Sequence, residues 1–403
     1  MASLEKEKER HLGANKNGGN TLMTIRLLFA IPVLVGILIG ARTALPMTAN
    51  AGGFERLVVA PHDGETLENS YPCLARLDDG RLFVVWSAAR PGMPEKSIVG
   101  AFSEDHGRTW SALLDLIAGP GIGAEDPNII ASGKRIIVAS TVMIGQGIST
   151  SVTKCTRSDD NGRTWSPLYE IPMNHRYTAG KTHRGLRLKS GRLLMGYSWD
   201  IFCEESKRLE AEGQMHLRTG MMISDDDGLI WKNGDDFDLE YKPISDYGIR
   251  GSAEPAIVDL DDGTIIMLVR TSSDHLYEAR STDEGKTWNN IQPSPLIGHN
   301  APAALCKFDA GKRRGIMCVW NNAKTRFPLC AAASFDGGKT WSKPKDIAGV
   351  PGGQPVIYPS CDQAADGTLV AVWTHILPNS ADGKSGGRVI RCARFGLDWL
   401  LQD

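Results

Sequence analysis

Four side chains from three separate stretches of this chain have the types and spacing to share one site. Glu254 and Arg270 each lie eight residues from Asp262, in EPAIVDLDDGTIIMLVR, where two apolar segments flank a Gly turn. An antiparallel hairpin centred on that turn brings both side chains to the same end. Tyr358 opens a similar stretch, YPSCDQAADGTLVAVW, and Arg326 follows a third, APAALCKFDAGKRRGIMCVW from Ala301. Planar guanidinium groups can hold a carboxylate through paired hydrogen bonds. A phenol of ordinary pKa, about 10, is a poor nucleophile at neutral pH unless a neighbouring base takes its proton. No Gly-rich phosphate loop, H-E-x-x-H or G-x-S-x-G elbow offers a competing chemistry.

The elements that must position these groups are repeats. One octapeptide recurs five times: SEDHGRTW from Ser103, SDDNGRTW from Ser158, SDDDGLIW from Ser224, STDEGKTW from Ser281 and SFDGGKTW from Ser334. Its Asp can accept backbone N–H bonds inside a turn, its Gly allows positive φ, and its Trp supplies apolar contact. These aspartates are expected to be turn staples, not catalysts. A second motif, two apolar strands around a Gly turn, interleaves with the first and recurs six times, from Tyr71, Asp126, Thr182, Glu254, Ala301 and Tyr358. Six units of roughly 58 residues each suit four short strands apiece, as in a propeller blade. The sixth lacks the octapeptide and ends in RVIRCARFGLDWL, so the strand-like Arg56 to Ala60 is expected to complete it and close the ring.

Strand direction alternates along a blade, which sorts the candidates by face. Strand-one starts, strand two–three loops and blade connections share one face, and the Gly turns and octapeptides share the other. Glu254, Arg270, Tyr358 and Arg326 fall on the first face. So do His183, Arg184, Arg250, Asn300, Glu125 and Asp126.

With five in-phase octapeptides, residues 55 to 400 resemble the sialidase (neuraminidase) superfamily, whose octapeptides are called Asp boxes or BNR repeats. The resemblance implies an all-β, six-bladed propeller of four-stranded antiparallel blades. It further implies an exo-glycosidase that releases a terminal acidic sugar, sialic acid, with retention and without a cofactor or metal. The substrate's carboxylate would repel a carboxylate nucleophile, and this family uses Tyr instead. By resemblance Tyr358 is the nucleophile, Glu254 its base, and Arg270 and Arg326 two members of a three-arginine cluster. Two departures stand out. Ser70, in Asn69-Ser70-Tyr71-Pro72, occupies the place of the family's first arginine, and the loop from Ala88 to Ser97 lacks the family's general-acid Asp. Glu95 is that loop's only carboxylate and is expected to be the proton donor, with Glu125 or Asp126 as the alternative. Arg184, Arg250 or His183 can replace the missing arginine. His183, Arg184, Asn300 and Asp126 are expected to contact substrate. The departures leave two other possibilities open: a hydrolase or lyase for another acidic sugar, and a propeller that binds carbohydrate without catalysis.

The remaining sequence bounds the setting. A formal charge of −2 gives no bulk attraction for nucleic acid or an anionic membrane. The apolar run Leu27 to Ala41, preceded by Arg26 and followed by Ala49-Asn50-Ala51, has the form of a secretory signal, with an uncleaved anchor as the alternative. Residues 1–51 are accordingly set apart from the fold, Met23 is a second possible start, and an exported monomer acting on glycans is expected. The eight cysteines lack C-x-x-C spacing and sit mostly in apolar runs, so few or no disulfides and no zinc site are expected. An insertion from Ile201 to Arg218 belongs to a loop overhanging the functional face, as a lid or a solvated excursion.

Overall fold

The computed structural model describes residues 53–402, apart from 64–67, 93–94, 120, 122, 144–150, 173–177, 180–183, 201–214, 245–247, 312, 350–352 and 380–385. The N-terminal apolar run, His183, Cys203 and most of the insertion expected as a lid lie outside the described residues.

The strands group into six antiparallel blades. Blade one runs Glu68–Arg76, Leu82–Ala89, Ser97–Ser103 and Leu114–Ile117, and blade two Gly123–Ser132, Arg135–Met143, Ser151–Ser158 and Tyr169–Ile171. In blade three Thr178–Ala179 and Leu186–Arg187 both pair with Leu193–Asp200, which is followed by Met215–Ser224 and Lys232–Phe237. Blade four holds Ala253–Asp259, Ile265–Arg270, His275–Ser281 and Asn289–Ile297, and blade five Ala304–Ala310, Arg313–Trp320, Leu329–Ser334 and Lys345–Ala348. Blade six takes Val356–Gln363, Leu369–Ile376 and Arg388–Phe395 from the C-terminal end, and its outer strand, Phe54–Ala60, from the N-terminal end. Phe54 pairs with Phe395 and Leu57 with Cys392, so the two ends of the propeller chain share one sheet. The sequence placed this strand from Arg56, two residues short.

Apolar side chains fill the seams between blades. Fully buried Trp86 packs in the cluster joining blades six and one, Trp320 between four and five, and Trp373 between five and six. Burying a large apolar side chain contributes about 1.5–3 kcal/mol, and the seams repeat around the ring. The seven described cysteines form no disulfide with one another and are buried in these strands. Burial pushes the Cys73 and Cys392 thiols up to about 12, so they rest neutral.

The octapeptides behave as staples. In the second, Asp160 accepts from Ser158 Oγ (2.8 Å), Arg163 N (3.0 Å), Thr164 N (2.9 Å) and Thr164 Oγ1 (2.7 Å). The Thr164 hydroxyl and amide in particular lower its carboxyl to about 2. In the third copy Ile230 offers only its amide, at 2.8 Å. The residue after the box Asp adopts positive φ in all five copies, as His106, Asn161, Asp227, Glu284 and Gly337. Its carbonyl accepts from an arginine of the preceding blade: Arg394 Nε to His106 (2.7 Å), Arg81 Nη2 to Asn161 (2.6 Å), Arg135 Nη1 to Asp227 (2.8 Å), Arg192 Nη1 to Glu284 (3.3 Å) and Arg280 Nη2 to Gly337 (3.0 Å). Each box therefore also fastens one blade to the next.

Candidate active site

The innermost strands are kinked at their starts, and the kinks carry the candidate groups. Tyr71, Asp126, Glu254 and Tyr358 each precede a proline and have φ of +57°, +52°, +52° and +53°. The strand register slips beside each of them, between Ser70 and Cys73, Glu125 and Asn128, Ala253 and Ala256, and Ile357 and Ser360. Asn300 provides the counterpart in blade five, with φ +48°. A non-glycine residue in the left-handed region costs about 1–3 kcal/mol, so its surroundings must hold it there. The preceding blade does so. Glu254 N donates to Ser198 Oγ (2.8 Å) and Tyr71 N to Thr374 Oγ1 (3.0 Å).

Five side chains from blades four, five and six meet at this end. Arg270 donates from Nη1 to Glu254 Oε1 (2.9 Å) and from Nε and Nη2 to Asn300 Oδ1 (2.9 and 2.5 Å). Although burial works against its charge, Glu254 and then Tyr358 stabilise the guanidinium, Tyr358 also through a side-chain hydrogen bond. Arg326 donates from Nη2 to the Asn300 carbonyl (2.7 Å) and lies 5.2 Å from the centre of the Tyr358 ring, within cation–π range. Glu254 is only 8% exposed, and its Oε2 is buried without a hydrogen-bond partner among the described residues. Burial and then the negative charge of Glu254 raise the Tyr358 phenol above its ordinary value, while Arg326 and Arg270 oppose them. Tyr358 thus rests as a neutral phenol beside an ionisable carboxyl group with one unengaged oxygen.

Blades six, one and two complete the mouth. The Tyr71 ring meets the Tyr358 ring edge-on, with centroids 4.6 Å apart and planes at 82°. Burial raises the Tyr71 phenol strongly, followed by Tyr358, Asp126 and Glu125, with Arg388 acting in the opposite sense. Arg388 Nη1 donates to Ser70 Oγ (3.1 Å) and pairs with Glu68 (2.8 Å), which also faces Lys96 (3.6 Å). Lys96 in turn pairs with Glu125 (2.7 Å).

The face predicted for Glu254, Arg270, Arg326, Asn300 and Tyr358 brings them together, and the field of Asp126 reaches both tyrosines. Glu95 is half-buried in the bend before the third strand of blade one, and it shares no hydrogen bond or ion pair with the cluster among the described residues. Arg184 departs from its predicted rim position. Its Nη1 pairs with Asp362 (2.5 Å), and Asp362 also accepts from Arg76 N (2.7 Å). Asp362 lies four residues along the strand from Tyr358, roughly 13 Å towards the other face at strand rise. Arg184 therefore sits down the axis, near Cys73, Cys306 and Cys361. Arg250 is exposed. The cation at Ser70 is Arg388, which sequence reasoning missed. It opens the third strand of blade six directly after a strand two–three loop, the signal that could have found it.

Residues 131–371 match the BNR repeat-like domain family. The chain belongs to that family. A sialidase of Micromonospora viridifaciens is 24% identical over 371 residues, 82% of this chain and 51% of the relative, so the BNR-repeat chain spans about half of that protein's length. Among solved structures, a Hadza microbial sialidase superposes with a TM-score of 0.69 at 16% identity, covering 85% of this chain and 69% of that one. A Dyadobacter fermentans protein of unknown function superposes with a TM-score of 0.66 at 16% identity, covering 86% and 100%. At these identities the superpositions establish the sialidase-like propeller fold and leave the activity open.

Proposed function

We propose that this BNR-repeat protein is a retaining exo-glycosidase that releases a terminal acidic sugar, sialic acid, from glycoconjugates. The observation that carries the proposal is the arrangement of Glu254, with one oxygen held by Arg270 and the other unpartnered, beside the neutral phenol of Tyr358. In the first step the Tyr358 oxygen bonds to the anomeric carbon as its proton passes to Glu254, and the bond to the leaving oxygen breaks. The leaving oxygen takes a proton from a carboxylic acid. Asp126 suits that role better than Glu95, since its field reaches both tyrosines. Water, passing a proton to the Asp126 carboxylate, then bonds to the anomeric carbon as the tyrosyl–sugar bond breaks and Glu254 returns its proton to the phenol oxygen, so two inversions give net retention. Arg270 and Arg326 hold the sugar's carboxylate, and Arg388 supplies a third cation at Ser70. The apolar run Leu27 to Ala41 supports an exported enzyme.

A second reading, a hydrolase or lyase for another acidic sugar, is favoured by one observation: Arg388 approaches from blade six and is paired with Glu68. Hydrolysis of a fluorogenic sialoside beside a panel of uronides separates the two, with Tyr358→Phe and Glu254→Ala as controls. Unchanged sialoside turnover in Tyr358→Phe would sink the mechanism. Absence of turnover on every acidic glycoside, with glycan binding retained, would leave a binding propeller.

A further inference from the structure

Tyr71 and Tyr358 hold the same left-handed position in adjacent blades, and their rings meet edge to face. The other contacts of Tyr358 come from different directions. Arg326 lies over its ring, and Arg270 engages its oxygen. An aromatic side chain can still rock and flip about its own axis, and Tyr71 is the ring that abuts it from blade one. Tyr71 is itself tied to the blade that carries Tyr358. Its amide donates to Thr374 Oγ1 (3.0 Å), and three residues on Leu74 N donates to Ser360 Oγ (3.0 Å). The strand bearing Tyr71 is thus fixed at two points to the sheet that it must register against.

We infer that Tyr71 is a positioning residue for the nucleophile, holding the Tyr358 ring by its edge so that the phenol oxygen stays aligned between Glu254 and the substrate. The inference rests on the glycosidase assignment of the same funnel. Tyr71 does not compete as a nucleophile, because burial first, and then the charges around it, keep its phenol protonated. Its ring, not its hydroxyl, is the working part. A misplacement of about 1 Å at a reacting atom lowers a rate by about 100-fold, so a modest loss of alignment is measurable.

The test compares the wild type with Tyr71→Phe, Tyr71→Leu and Tyr71→Ala, using two readouts. Steady-state kinetics on a fluorogenic sialoside are expected to show kcat at least tenfold lower for Leu and Ala, with KM within about twofold. Phe, which keeps the ring edge, restores kcat to within about threefold. Aromatic carbon NMR with labelled tyrosine reports the Tyr358 ring independently of turnover. Slow flipping is expected in the wild type and Tyr71→Phe, and fast averaging in Tyr71→Leu and Tyr71→Ala. Unchanged flipping and unchanged kcat in the Leu variant would overturn the inference. Leu is included because it keeps apolar bulk should Ala fail to fold. A wild type that turns over neither sialosides nor any other acidic glycoside would refute the enzymatic assignment, and the NMR result would still decide whether Tyr71 holds the ring.

Discussion

Both faces of the propeller hold non-glycine residues in the left-handed region, yet they use them in opposite ways. On the octapeptide face, His106, Asn161, Asp227 and Glu284 give their carbonyls to arginines of the preceding blade. The neighbouring aspartates are filled: Asp283 accepts from Ser281 Oγ, Lys286 N, Thr287 N and Thr287 Oγ1. On the funnel face, the amides of Tyr71, Glu254 and Asn300 donate to the preceding blade, and the side chains of Tyr71 and Tyr358, and of Glu254, Arg270 and Asn300, come together across blades. There a Glu254 oxygen remains buried and unpartnered among the described residues. The same backbone strain, repeated around one ring, gives rigidity where the carboxylates are saturated and reactivity where one carboxyl oxygen is left open.

The contrast can be broken at either face. Glu254→Gln removes the base but keeps an oxygen for Arg270, and kcat on a sialoside is expected to fall about 1,000-fold with melting temperature nearly unchanged. Arg388→Ala removes a cation but no reacting group, so KM is expected to rise about tenfold with kcat within about threefold, as steady-state kinetics would show.

Changes on the octapeptide face should do the reverse. Asp283→Ala is expected to lower the melting temperature by about 2–5 °C and leave kcat unchanged, since it deletes a set of turn hydrogen bonds far from the funnel. Acid sensitivity follows from the same groups. Asp160, Asp283 and Asp336 are held at about 2, against 3.8 for an ordinary aspartate. A carboxyl depressed by folding adds stability above its unfolded value and loses it as pH falls towards its folded one. Denaturant midpoints should therefore drop between about pH 4 and pH 2, and less steeply in Asp283→Ala. The smallest effect is a gain. Ile230→Thr supplies the hydroxyl missing from the third box, and calorimetry should find the melting temperature about 1–2 °C higher with activity unaltered.

The architecture was legible because each repeat names its own turn, and the alternation of strands then assigns every residue to a face. That logic found Glu254, Arg270, Arg326, Asn300 and Tyr358. It gives no distance from the axis and no depth, and so it put Arg184 at the rim when it pairs with Asp362 inside. Arg388 escaped because its partner Ser70 is 318 residues away, and only ring closure unites them. The left-handed kinks had a local signal, a Tyr, Asp or Glu directly before Pro at the start of an innermost strand, but it is visible only once several blades are aligned.

In the proposed mechanism Tyr358 forms a covalent bond with the sugar. Incubation with 2,3-difluorosialic acid, followed by intact-mass measurement and peptide mapping, tests it directly. A single sugar adduct on the peptide containing Tyr358, absent from Tyr358→Phe, is the expected result. Turnover of sialosides without any adduct, or an adduct on another residue, would contradict it.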